Sequence, residues 1–208
     1  MTGAIRWPTE RCNAAILAGG GATRFGGRPK GLETVAGRRI LDRLVDACVA
    51  ALGREPLLVA NDPQATSWRP DLRVVPDVVP GLGALGGILT AVTLAPAPVV
   101  CVAWDMPFVT PPLLRALAEG LDGADACLPE SGGRRGLEPL CAAYGPACES
   151  AIRRALAAND HRAIAFHPFV RVAILKVDRV RTFGDPAILF FNVNTTGDLA
   201  RAQELATT

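Results

Sequence analysis

Five apolar residues in a row, Ala14 to Ala18, lead straight into Gly19-Gly20-Gly21. The run has the length and composition of a strand, and the glycines stop it abruptly. Three glycines after a strand allow a tight turn in which backbone N–H groups come close to an anion. The glycine-rich segment continues to Leu32, and Arg24 and Lys30 bring cations to it. Such a loop suits a polyphosphate, because fixed positive charge offsets both the bound phosphates and the charge that builds as one leaves. Glycine richness alone would equally describe a flexible surface loop. The strand before it and the cations Arg24 and Lys30 within it favour the phosphate reading, with the loop facing solvent. Neither common phosphate fingerprint fits this loop: Lys30 is followed by Gly31 where a P-loop needs Ser or Thr, and the spacing of its glycines gives no convincing dinucleotide G-x-G-x-x-G with an acidic residue about 20 positions on.

Downstream, short apolar runs alternate with helical spacing. Leu41, Leu44, Val45, Cys48, Val49 and Leu52 fall on one face of a helix. Leu57 to Ala60 and Arg73 to Val75 read as strands, Ile88 to Leu94 as part of a helix after a glycine turn, and Val99 to Ala103 as a strand buried on both faces. Pro111-Pro112 opens another helix. This rhythm predicts an α/β fold: a Rossmann-like, mostly parallel sheet with helices on both faces. Beyond Ala124 it changes. Strands are expected at 125–128, 139–144, 170–177 and 188–191, some of them antiparallel, around a helix at 147–158. No repeat or linker divides the 208 residues, so one domain is expected, with a nucleotide-binding half near 13–123 and an acceptor-binding half near 124–203.

Composition narrows the partners. The 22 basic and 20 acidic residues are spread along the chain with no basic block, which speaks against nucleic acid as a partner. Half the residues are apolar, yet no run is long enough for a bilayer, and the first 13 residues lack the pattern of a signal peptide. The six scattered cysteines form no C-x-x-C pair and read as small buried hydrophobes of a reducing compartment. A cytoplasmic protein without membrane contact is expected.

Several polar residues sit where strands end. Asp105 follows Val99 to Ala103 and precedes Pro107, and a carboxylate at the carboxyl edge of an α/β sheet can hold Mg²⁺; an isolated Asp is also a common turn or cap residue. Asp77 and Asn61 follow the two shorter strands. Each is a natural turn residue, and the Asn61 amide can offer a base or sugar both a donor and an acceptor. Gly81 to Gly87, Gly83 among them, precedes an apolar helix whose N-terminal amides can face a ligand or simply pack closely. If 188–191 is a strand, Asn192 and Asn194 just beyond it point to one face. Arg134 and Arg135 stand in a loop that could meet a phosphate, and His161 and His167 read as structural or surface residues.

The stretch from Leu17 to Lys30 has the form L-A-G-G-x-x-x-R-x-G-x-x-x-K. It resembles the signature of nucleotidyltransferases with a GT-A-like fold, and in particular the MobA-type molybdenum cofactor guanylyltransferases. Related cytidylyltransferases usually carry L-A-A-G. Val59-Ala60-Asn61, Val75-Pro76-Asp77, Gly83 to Ile88, Ala103-Trp104-Asp105-Met106-Pro107 and Phe191-Asn192-Val193-Asn194-Thr195 resemble further family motifs in the same order, so the likeness spans residues 13–203. Glu138 departs from the Gln or His that the family usually places before its proline.

The resemblance implies that GTP is gripped by Leu17, Ala18, Gly19, Gly20, Lys30, Asn61, Asp77 and Gly83. It also implies that Asp105 binds Mg²⁺ and the nucleotide, and that Asp77 helps recognise the guanosine. Molybdopterin or molybdenum cofactor would be the acceptor, with Arg134, Arg135, Asn192 and Asn194 near it. The acceptor phosphate would attack the α-phosphorus of GTP while Arg24 and Lys30 neutralise the departing pyrophosphate. Molybdenum-insertion proteins and apo-molybdoenzymes would be further partners. A CTP-using relative, a sugar- or alcohol-phosphate nucleotidyltransferase and a non-catalytic cofactor-delivery module are the alternatives.

Overall fold

The computed structural model describes residues 12–19, 29–95, 98–132 and 136–207. Strand β1 (Asn13–Ala18) is the apolar run that precedes the glycines, and its last five residues are buried. Beyond the glycine loop, one 3₁₀ turn (Lys30–Leu32) leads to a two-residue hairpin, β2 (Thr34–Val35) and β3 (Arg38–Arg39). Ala36 and Gly37 both take positive φ, 50° and 74°, as a tight hairpin turn requires. Helix α1 (Ile40–Leu52) follows and stops at Gly53, whose left-handed conformation lets its N–H bond the Val49 carbonyl. Then come β4 (Leu57–Ala60), the single turn α2 (Ala65–Trp68), β5 (Val74–Val75), α3 (Gly83–Leu94), β6 (Val99–Ala103) and α4 (Pro111–Glu119). The last third holds β7 (Ala126–Pro129), β8 (Cys141–Tyr144), α5 (Cys148–Ala157), β9 (Val172–Leu175), α6 (Val177–Arg181), α7 (Pro186–Leu189) and α8 (Thr196–Leu205).

One seven-stranded sheet runs β5-β4-β1-β6-β8-β7-β9. β1 is parallel to both its neighbours, pairing Leu17 with Val59 on one side and with Ala103 on the other. β8 is antiparallel to β6 and to β7, while β7 and β9 are parallel, so β8 alone among these seven runs against the rest.

Side chains that alternate along the strands build two cores. Ala14, Ile16, Val100 and Val102 pack with Leu41, Leu44 and Cys48 of α1 and with Leu113 and Leu117 of α4. Ala15, Leu17, Val99 and Cys101 face the other way, against Leu85, Ile88 and Leu89 of α3 and Ile152 of α5. Helices therefore cover both faces, which is why the central strands are apolar throughout. All six cysteines are buried and free, as their apolar neighbours imply.

Some expectations are corrected. The run 188–191 is not a strand: Asp185 caps the short helix α7 by accepting from the Ala187 N–H at 2.9 Å, and Pro186 occupies its first turn. Val49 lies at the margin of α1 and is exposed rather than part of its buried face. The helix expected over Ile88 to Leu94 begins five residues earlier, at Gly83. Among the described residues no helix is long and apolar enough to cross a membrane.

Candidate active site

The strands β5, β4, β1 and β6 are parallel neighbours, so their carboxyl ends form one edge. From β1 the chain moves to β4 and β5 on one side and then returns to β6 on the other. That reversal leaves a crevice between the first loops, the usual ligand position in an open α/β sheet. A cavity of about 470 Å³ lies there. Leu17, Ala18 and Gly19 border it from β1, Asn61 from the end of β4, Asp77 from beyond β5 and Asp105 from the end of β6. Lys30, Gly83, Asn192 and Asn194 line it too. Residues separated by more than 170 positions thus meet in one place. Gly20, Arg24, Arg134 and Arg135 lie outside the described residues.

Lys30 does not sit on a solvent-facing loop. It is only 7% exposed. Its Nζ donates to Asn194 Oδ1 at 2.8 Å and lies 3.7 Å from Asp105 Oδ2, whose side chain is 14% exposed. A buried ammonium is tolerated where a carboxylate and an amide oxygen meet it. Three further features hold this group. Gly31 lies under the ring of Trp104: a Cβ at Gly31 would come within 2.4 Å of the indole. Only glycine lets the Lys30 turn approach so closely. Trp104 in turn stacks on Trp68 of α2, with ring centroids 5.2 Å apart. On the opposite side, the Val193 N–H donates to the Asp105 carbonyl at 2.8 Å, tying the asparagine segment to the metal-ligand candidate.

The two asparagines differ. Asn194 is set by a capping box: the Asp198 carboxylate accepts from the N–H groups of Asn194 and Thr195 at 2.9 and 2.8 Å, while Thr195 Oγ1 accepts from the Asp198 N–H. Its amide oxygen is left to meet Lys30. Asn192 spends its amide donor locally, on the Phe190 carbonyl at 2.8 Å. The shared-face argument from strand geometry fails with the strand itself, and the two reach the cavity by separate routes.

Across the cavity, Asn61 and Asp77 form a two-bond clasp. Asn61 Nδ2 donates to Asp77 Oδ2 at 2.7 Å, and Asn61 Oδ1 accepts the Asp77 N–H at 2.8 Å. The N-terminus of α3 contributes Gly83, Ala84 and Gly87 to the same lining. Gly81 and Gly83 take φ of 83° and 57°, which bends the chain sharply into the helix. The aligned peptides of a helix N-terminus present partial positive charge to a ligand there.

The chain matches the MobA-like NTP transferase domain over residues 14–172. It belongs to that family. Relatives agree along nearly the whole length. A probable molybdenum cofactor guanylyltransferase of Pelotomaculum thermopropionicum is 36% identical over 197 residues, 94% of each chain. A molybdenum cofactor guanylyltransferase of Desulfosudis oleivorans is 31% identical over 90% of this chain and 92% of its own. The molybdopterin-guanine dinucleotide biosynthesis protein A of Archaeoglobus fulgidus superposes with a TM-score of 0.79 at 28% identity, covering 94% of this chain and 98% of that one. As a member of the MobA-like family, the chain is a nucleotidyltransferase.

The donor set of this nucleotidyltransferase fits a divalent cation. Asp105 brings a carboxylate, and the amides of Asn192 and Asn194 line the same cavity. Among the described residues no group of three or more Cys, His, Asp or Glu is placed to hold a metal ion. One carboxylate with neutral oxygen donors matches a hard cation that keeps waters and shares substrate phosphates. The sequence reading passed over three supports: the Trp68–Trp104 stack, Thr90 within α3, and the capping box of α8. The last was visible as Thr195-x-x-Asp198.

Proposed function

We propose that this chain is a cytoplasmic, single-domain molybdenum cofactor guanylyltransferase. It transfers GMP from GTP to the terminal phosphate of molybdopterin or molybdenum cofactor, and pyrophosphate leaves. The observation that carries this reading is the meeting of Lys30, Asp105 and Asn194 with the Asn61–Asp77 clasp around one cavity of about 470 Å³. A cavity of that order suits a small-molecule ligand.

An oxygen of the acceptor phosphate attacks the α-phosphorus, forming a new P–O bond. The bond from that phosphorus to the bridging oxygen breaks, and pyrophosphate takes the electron pair. The nucleophile is already an anion, so the reaction needs alignment and charge stabilisation more than a general base. Leu17, Ala18 and Gly19 carry the β1 edge to the triphosphate. Lys30, held by Asn194, neutralises the phosphates that leave, and Arg24 joins it from the same loop. Mg²⁺, when bound, offsets charge on the phosphates and polarises the α-phosphoryl oxygens. Asp105 is the residue that would hold it. Asn61, Asp77 and Gly83 take the guanosine, while Asn192, Asn194, Arg134 and Arg135 serve the acceptor. The product then passes to molybdenum-insertion proteins and apo-molybdoenzymes.

The test is pyrophosphate release with molybdopterin, Mg²⁺ and each of the four ribonucleoside triphosphates. GTP is expected to be the preferred donor. A preference for CTP or UTP would contradict the assignment, and tight GTP binding without pyrophosphate would convert the protein into a delivery module.

A further inference from the structure

Helix α3 is apolar along almost its whole length, yet Thr90 sits in its buried middle at 0% exposure, between Leu89 and Ala91. A buried hydroxyl is costly unless it is hydrogen-bonded. Thr90 Oγ1 lies 2.9 Å from the Gly86 carbonyl, one turn back, a contact that would satisfy a threonine in any helix. Two further contacts leave the helix. The hydroxyl oxygen accepts the Val78 N–H at 2.9 Å and stands 3.3 Å from Asp77 Oδ1. The hydroxyl therefore serves its own helix and the Asp77-Val78 peptide together: its one proton is shared between the Gly86 carbonyl and Asp77 Oδ1, while its oxygen takes the Val78 N–H.

Asp77 is consequently contacted from two sides. Asn61 fixes its own N–H and one carboxylate oxygen, and Thr90 fixes the following N–H and stands against the other oxygen. A carboxylate oxygen has two acceptor positions, so Oδ2 keeps one beside the Asn61 bond and Oδ1 keeps at least one beside the shared Thr90 proton. The carboxylate therefore presents two remaining acceptors in a set plane at the edge of the cavity that it lines. Guanine offers two neighbouring donors, N1–H and the exocyclic amine, that such a pair can accept together. Hypoxanthine keeps N1–H and lacks the amine.

We propose that Thr90 is a positioning residue that sets the plane of the Asp77 carboxylate, and through it the preference for guanine over bases lacking the exocyclic amine. The proposal rests on the guanosine-binding role of Asp77 given above. Thr90 does not line the cavity and touches no substrate. It acts through the backbone and carboxylate of Asp77, and a two-bond contact is lost when its members drift by more than about 0.5 Å or 10–20°.

The experiment measures GTP and ITP affinity in the presence of Mg²⁺ for the parent and for Thr90→Val, Thr90→Ser and Asp77→Ala, with a melting curve for each. Thr90→Val is expected to shrink the GTP-over-ITP ratio about tenfold, the effect of losing one good bond to a charged acceptor. ITP affinity should fall less than GTP affinity, because ITP has only its N1–H to lose at the carboxylate and the triphosphate contacts are untouched. Thr90→Ser retains the hydroxyl and should retain the ratio. A Val variant with the parental ratio overturns the proposal, as does a folded Ser variant whose ratio has collapsed; the Ser arm decides even if the Val variant does not fold. Asp77→Ala separates the two layers. If it keeps the parental ratio, Asp77 does not read the base and the Thr90 proposal falls with that role. If it abolishes the ratio while Thr90→Val leaves it intact, only the Thr90 proposal fails.

Discussion

Replacing Lys30 with alanine should lower both stability and turnover, and the two losses have different origins. The ammonium lies 3.7 Å from Asp105 Oδ2 and 2.8 Å from Asn194 Oδ1. At an effective dielectric constant of about 20, a pair at that separation attracts with roughly 4–5 kcal/mol, most of which is offset by the desolvation of both charges. Truncation is less forgiving than the net value implies, because it deprives a largely buried carboxylate of this cation and an amide oxygen of its donor. A loss of about 1–3 kcal/mol is expected in the ligand-free protein. For a chain of this size that corresponds to a fall in Tm of roughly 2–4 °C per kcal/mol. In the proposed reaction the same ammonium meets charge that grows on the leaving pyrophosphate, and removal of one such preorganised partner costs about 2–4 kcal/mol of barrier. That is roughly 30- to 900-fold in turnover. Calorimetry and pyrophosphate release on one Lys30→Ala preparation read both effects. Parental turnover would refute the assignment of Lys30 to the phosphates, whatever the melting curve shows.

Gly31→Ala places a methyl group about 2.4 Å from the Trp104 ring; overpacking of this kind costs about 1–3 kcal/mol, and the displaced turn should carry Lys30 away and reduce turnover with it. A Gly31→Ala enzyme with unchanged Tm and activity would show that the close approach is not needed. Asp105→Asn keeps the shape of the side chain while weakening its hold on a divalent cation, so turnover should fall by about two orders of magnitude or more and the cation concentration for half-maximal rate should rise. An unchanged rate and cation requirement would remove Asp105 as the ligand. Burial pushes the Cys48 thiol up to about 12 and raises the other five as well, so a disulfide reagent at pH 8 should leave the native protein unlabelled and titrate all six cysteines after unfolding. Rapid labelling of the native protein would contradict their burial.

The part of this fold that the sequence discloses is the part governed by local pattern. β1, β4 and β6 are read from unbroken apolar runs because burial on both faces removes any polar alternation. The residues after β4, β5 and β6 fall at one edge by topology, which singles out Asp105, whereas Asn61 and Asp77 read as turn residues by themselves and are nominated by the family resemblance. Short apolar runs are ambiguous, and 188–191 misleads for that reason. The Asp185-Pro186 pair that starts α7 was a usable helix signal in the same segment. The burial of Lys30 was not legible at all, since it depends on Asn194, 164 positions away, and on a capping box that orients that asparagine. Thr90 was hidden for a similar reason. A single threonine in an apolar helix becomes informative only when the Asp77-Val78 peptide is seen beside it.

The claim at the centre of this account is that one cavity at the carboxyl ends of β5, β4, β1 and β6 holds GTP with its base at the Asn61–Asp77 clasp and its phosphates at Lys30 and Asp105. A crystal structure of the protein soaked with GTP and Mg²⁺ tests it directly. The expected result is guanine donors on the Asp77 carboxylate, a phosphate oxygen within hydrogen-bond distance of Lys30 Nζ, and the metal on an Asp105 oxygen. Density for the nucleotide elsewhere, such as the open groove beside Phe108 and Phe183, or a base turned away from Asp77, would contradict it.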